Sequence, residues 1–169
     1  LTSNRAATAS PDARGVRRSS ASQQQRRDVF DSVVFRAKFS CNEVVRRLNY
    51  KVLTHIGDPF VAALPADLCQ KMVDSVLVDG LREANNDLLV DALLTVQAWA
   101  AHYACMLPRH DQFIEMAAGP MEANSDALVK QRAAMAMCTL ARRLPDRKAA
   151  GVPVSLPHCV MTLQVASRT

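Results

Sequence analysis

The sequence predicts an all-α fold, and three observations carry that expectation. Apolar residues make up 49% of the 169 positions while aromatics are only 5%. A chain rich in Ala, Leu, Val and Met but poor in aromatics favours helices over sheets. Apolar positions recur at helical spacing in successive segments, and Pro, Gly, Asn and Ser fall between those segments, where helix ends belong.

Residues 1–27 hold Pro11, Gly15 and a Ser/Gln run, with Val16 as the one β-branched aliphatic. This composition predicts an extended basic arm. A first helix is expected from Asp28, as cap, to about Phe39, with Val29, Phe30, Val33, Val34 and Ala37 on one face. Ser40 and Glu43 read as a capping box. The helix that follows carries apolar residues at 41, 44, 45, 48, 52, 53 and 56, an amphipathic stripe stopped by Gly57. Asp58-Pro59 opens a short turn of helix ending at Leu64-Pro65. A helix over about 66–79 buries Leu68, Cys69, Met72, Val73, Val76 and Leu77.

The helix over about 87–107 is apolar nearly all round, and its polar residues Asp87, Asp91, Thr95 and His102 form one narrow strip. Such a helix belongs at the centre of a helical protein. It approaches the length of a membrane span, but Asp91, Gln97 and His102 are expensive in lipid, so a membrane partner is not expected. A short helix over about 110–118 is expected to break at Gly119-Pro120. The last long helix, about 126–144, is capped near Asn124-Ser125, with Ala127, Leu128, Ala134, Met135, Cys138 and Ala141 inward. The sequence thus divides into an arm (1–27), a helical domain (28–145) and a Pro-containing tail (146–169). Residues 160–165 of that tail fit a strand or a short helix equally.

Two stretches share one plan. From Leu64-Pro65 to Leu107-Pro108, and again to Leu144-Pro145, a short helix, an Asx cap and a long helix follow each other, with periods of 43 and 37 residues. Paired helices at that period match armadillo- and HEAT-like solenoids, since one hairpin cannot bury its own face. An irregular bundle fits the layout as well.

Charge is segregated along the chain. Residues 1–27 carry Arg5, Arg14, Arg17, Arg18, Arg26 and Arg27 against Asp12, a net +5, whereas 28–169 carry 15 basic and 15 acidic residues. Guanidinium forks match phosphate, so a polyanion is the expected partner of the arm. Arg47, Tyr50, Lys51 and Thr54 form a stripe on the second helix that, with Arg46, is expected to add phosphate contacts and a stacking ring. A solvated face holding a Glu43–Arg47 pair explains the same stripe. Arg142, Arg143, Arg147 and Lys148 cluster near a helix end, where the dipole favours them.

Catalysis is not indicated. His102, Cys105, His110 and Asp111 lack the spacing of a metal set, and adjacent His158-Cys159 seldom achieve nucleophile–base geometry. Asp87 and Asp91 are explained by a cap and a polar strip. The five glycines form no phosphate loop, so neither a cofactor nor a small-molecule substrate is implied. The five cysteines show no CxxC pair, which argues against a zinc ribbon or disulfide framework.

With its arm at 1–27 and helical hairpins over 64–145, the chain resembles small α-helical, helical-repeat-like accessory proteins of mitochondrial ribosomes and other organellar ribonucleoproteins. The resemblance implies a non-catalytic structural subunit, with ribosomal or other structural RNA and neighbouring proteins as partners. The Arg- and Ser-rich, acid-poor arm also resembles an organellar transit region, implying a mitochondrial matrix location. A helical-repeat adaptor of a protein-only assembly, such as a respiratory-chain or cytoskeletal complex, is the alternative.

Overall fold

The computed structural model describes residues 12–56, 58–143, 149 and 151, with side chains from residue 22 onward except at 58 and 59. All regular structure among the described residues is helical. In order these are α1 (Asp12–Phe39), α2 (Glu43–His55), α3 (Asp58–Val61), α4 (Ala66–Met72), a π-turn (Val73–Leu77), α5 (Val78–Gly80), α6 (Asn86–His102), a 3₁₀ stretch (Ala104–Arg109), α7 (His110–Ala123) and α8 (Ala127–Arg142). The tail and its undecided element lie outside the described residues.

The helices form three hairpins: α1 with α2, the α4–α5 rod with α6, and α7 with α8. In one layer α2 packs on α6 and α6 on α8. In the other, α1 meets the π-turn, which meets the 3₁₀ stretch ahead of α7. Each helix of the layer α2–α6–α8 starts on an Asx cap. Asn42 Oδ1 accepts from Val45 N, Asn85 Oδ1 from Asp87 and Leu88 N, and Asp126 Oδ1 from Leu128 and Val129 N. Each cap satisfies backbone donors that a helix start leaves unmet, worth about 1 kcal/mol. The cap of α2 is therefore Asn42, not Ser40, and that of α8 is Asp126.

The core centres on Trp99, fully buried in α6. Its Nε1 donates to Leu53 O at 2.8 Å, its ring lies 6.3 Å from Phe30 of α1, and Tyr103 meets it edge-on at 4.7 Å. One side chain thus ties α6 to both helices of the first hairpin.

Several boundaries differ from the sequence expectation. The first helix starts at Asp12, so residues 12–27 are helical rather than extended, and residues 1–11 lie outside the described residues. Arg, Gln and Ala are good helix formers, and Gln24 Nε2 donates to Asp28 Oδ1 one turn on, so the segment continues a helix already nucleated by the core. α6 ends at His102, before Pro108, because Tyr103 turns extended and donates its hydroxyl to Ile56 O. α7 runs through Gly119-Pro120 to Ala123. The proline removes one amide donor, but Phe113, Ile114, Ala117 and Ala118 are buried just before it and Met121 packs on the core just after.

The rod α4–α5 buries the side chains expected of it, Leu68 through Leu77. Two other helices are rotated. In α8 the buried residues are Val129, Ala133, Ala136, Met137 and Leu140, while Leu128 and Met135, expected inward, are exposed. In α2 the buried residues are Tyr50 and Leu53, while Val44, Leu48 and Val52 of the expected inner stripe face solvent.

Gly80 fits the close approach of α2. A Cβ there would lie 2.5 Å from Tyr50 Oη and 2.9 Å from Ala92 Cβ. Gly80→Ala is expected to cost about 1–3 kcal/mol by overpacking, measured by urea unfolding. Combining it with Tyr50→Phe, which removes the nearer atom, should cost less than the two single changes summed.

Burial also pushes the Tyr50 phenol up to about 12 from 10.0. The neutral form is the one the core holds, so this contribution is complete below pH 10 and is lost as pH climbs from about 10 to 12. Its size is about 2–3 kcal/mol. Unfolding curves across that range should show the loss in the unaltered protein and a smaller one in Tyr50→Phe.

Candidate functional site

The arginines of the N-terminal segment divide by position. Arg5 lies outside the described residues. Arg14, Arg17 and Arg18 sit on the helical backbone of α1, their side chains outside the description. Arg26 is exposed and Arg27 half-buried, and neither is ion-paired among the described residues. The first described side chain of α1 to be buried is Phe30.

The stripe on α2 has a different fate. Arg47 Nε donates to Asp91 Oδ2 at 2.9 Å and its Nη1 to Asp87 Oδ2 at 2.5 Å, both on α6. The Asp91 hydrogen bond holds the Arg47 guanidinium charged more firmly than usual, outweighing the desolvation that opposes it. Arg46 pairs with Glu83 and donates from Nε to Ala37 O, tying the end of α1 to the loop before α6. Thr54 and Thr95 hydroxyls meet at 2.8 Å. Tyr50 is buried, its hydroxyl donating to Val76 O. Arg46, Arg47 and Tyr50, expected to contact RNA or stack on a base, are thus taken up in the joint between hairpins, and Arg47 reaches α6 rather than pairing with Glu43. Lys51 stays exposed. Sequence reading missed these pairs because the partners lie 37–44 residues away.

Turning that stripe inward leaves apolar side chains outside. Val44, Leu48 and Val52 are 65%, 55% and 48% exposed along one face of α2. On α1, Phe35 and Phe39 are exposed with ring centroids 5.1 Å apart, and Lys38 sits over Phe39 while pairing with Asp79 at 2.7 Å. A groove of about 540 Å³ runs between these rings and Leu68 and Met72 of α4. Sequence reading had not singled out the two phenylalanines, although Phe35 and Phe39 at i, i+4 off the inner face were the available signal.

His102, Cys105 and Cys69 line one recess of about 350 Å³. Burial raises the Cys105 thiol to about 12 and also lifts that of Cys69, which keeps both protonated and poorly nucleophilic. His110 is buried at the start of α7 and does not line that recess. Among the described residues no group of three or more His, Cys, Asp or Glu is placed to hold a metal ion. Arg143 donates to Ala101 O at 2.8 Å, joining the C-terminal ends of α8 and α6. Arg147, Lys148 and His158-Cys159 lie outside the described residues. Among the described residues no single helix is long and apolar enough to cross a membrane; α6 and the segment after it are bent by 118°.

No protein-family model, curated protein or solved structure matches the chain.

Asp91 is almost fully buried, so removing its partner leaves a carboxylate without compensation. Arg47→Ala is expected to lower stability by about 3 kcal/mol, read from the denaturant midpoint. Exposed Lys51→Ala should change it by less than about 0.5 kcal/mol.

Proposed function

We propose that this chain is a non-catalytic structural subunit of a large organellar ribonucleoprotein, a mitochondrial ribosome foremost. Its N-terminal arginines lie on RNA phosphates and its helical body on neighbouring proteins. The observation that carries the reading is charge segregation: +5 in residues 1–27 and zero in the rest. Within the body, Lys38, Arg46, Arg47 and Arg109 are matched to acids. Arg26 and Arg27 are not ion-paired among the described residues; a segregated cationic segment suits an external polyanion, and arginine suits phosphate. The contact set is Arg5, Arg14, Arg17, Arg18, Arg26 and Arg27, with exposed Lys51 beside them. Arg46 and Arg47 drop out.

The body reads as a short armadillo- or HEAT-like solenoid. Its three Asx caps, Asn42, Asn85 and Asp126, recur at 43 and 41 residues. The bonds between neighbouring helices of one layer span about one period: 44 residues for Arg47–Asp91, 41 for Thr54–Thr95 and 42 for Arg143–Ala101. Each hairpin then buries the face its neighbour leaves open.

Exposed Phe35, Phe39 and Leu48 favour a second reading, a helical-repeat adaptor in a protein-only assembly. Nuclease treatment separates the two, since an RNA-bound subunit leaves the large particle when RNA is digested and an adaptor stays.

Binding to single-stranded RNA should weaken with salt, log K against log[salt] falling with a slope of about −4 if all six arginines contact phosphate. Changing Arg5, Arg14, Arg17, Arg18, Arg26 and Arg27 to Gln should flatten the slope and abolish binding in filter assays. Affinity and slope unchanged by that substitution would end the RNA reading.

A further inference from the structure

We propose that the outer face of α2 is an open stacking position, covered in solution by the outer face of α8 from a second copy of this chain. α6 receives α2 on the second, sixth and tenth residues after its cap. These are Asp87 and Asp91, which bind Arg47, and Thr95, which meets Thr54. Counted from Asn42, the same positions in α2 are Val44, Leu48 and Val52, the three exposed aliphatics. The surface that α2 covers on α6 therefore continues on α2 itself with nothing over it among the described residues.

The chemistry of that face selects the occupant. α6 presents acids because its neighbour presents Arg47, five residues after the cap. α2 presents Val, Leu and Val, so its occupant must carry no charge there. Five residues after its own cap, α8 carries Gln131. Met135 and Cys138 follow on α8, in a recess of about 340 Å³ that Gln97 of α6 and, toward the end of α8, Arg142 also line, and Met135 is 39% exposed. Laid on α2 in the register that α2 takes on α6, Gln131 meets Val44 and Leu48, and Cys138 takes the place of Thr54 opposite Val52. The contact is heterologous, so copies add end to end.

This inference rests on the repeat reading of the body and not on the RNA reading. Association lost with RNA binding intact would fail stacking alone. Sedimentation should show mass rising with concentration in steps of one chain, 18.5 kDa. Leu48→Glu should return the protein to monomer mass with an unchanged helical circular-dichroism spectrum, since Leu48 is exposed. A chain that stays monomeric at every concentration, or that associates equally with Leu48→Glu, overturns the proposal. The register has its own test, in protein carrying Cys41→Ser and Cys159→Ser. There Val52→Cys, mildly oxidised with diamide, should form a disulfide between position 52 of one copy and Cys138 of the next. Cys138→Ser should abolish that link. A disulfide joining position 52 to position 52 overturns the end-to-end geometry.

Discussion

The rotation of α2 is set by one buried carboxylate. Asp91 lies inside the joint between α2 and α6, its side chain only 5% exposed. An unpaired charge at such a depth costs several kcal/mol. The cation that meets it is Arg47, and bringing Arg47 to α6 fixes the helix about its axis. Thr54 then reaches Thr95, and Tyr50 and Leu53 turn inward. Val44, Leu48 and Val52 are left outside. Half-exposing three aliphatic side chains forgoes about 2–4 kcal/mol of burial, comparable with or less than the penalty for stranding Asp91. The polar seam therefore wins over the apolar stripe, and the surface properties of the first hairpin follow from it.

This competition explains what could be read from the residues in advance. Helices buried on most sides were legible: α6 shows its central place by being apolar nearly all round, and α4 through α5 bury the side chains their spacing names. Helices at the edges of the layer were not, because a stripe on one helix carries no information about its neighbour. α2 is turned away from its most apolar face, and α8 buries Val129, Ala133, Ala136, Met137 and Leu140 rather than the neighbouring stripe that holds Leu128 and Met135. The same blindness hid the fate of Arg46 and Arg47, whose partners belong to the next hairpin.

The length of α1 was hidden for another reason. Its N-terminal half has the composition of an unfolded segment: charged, Ser- and Gln-rich and without a stripe. Composition measures whether a segment can bury a face of its own. It does not measure whether a neighbouring segment, anchored by Phe30 and Ala37, has already met the cost of helix nucleation. Residues 12–27 need only propagate, and Arg, Gln and Ala do that well.

A helical rather than extended basic segment changes the geometry of recognition. Residues 12–27 span about 24 Å as a helix, against about 55 Å stretched out, so the same cationic groups are more than twice as dense along their axis. They also form a rod that cannot wind around a strand. On the RNA reading, a cylinder about 10–12 Å across is too thick for the narrow major groove of an A-form duplex. The rod would instead lie across the phosphate ridges or sit where helices part at a junction. Because it continues into α1, whose Phe30 touches Trp99, its heading is set by the core. Orientation of the whole body on a nucleic acid would then be dictated from the centre of the protein outward.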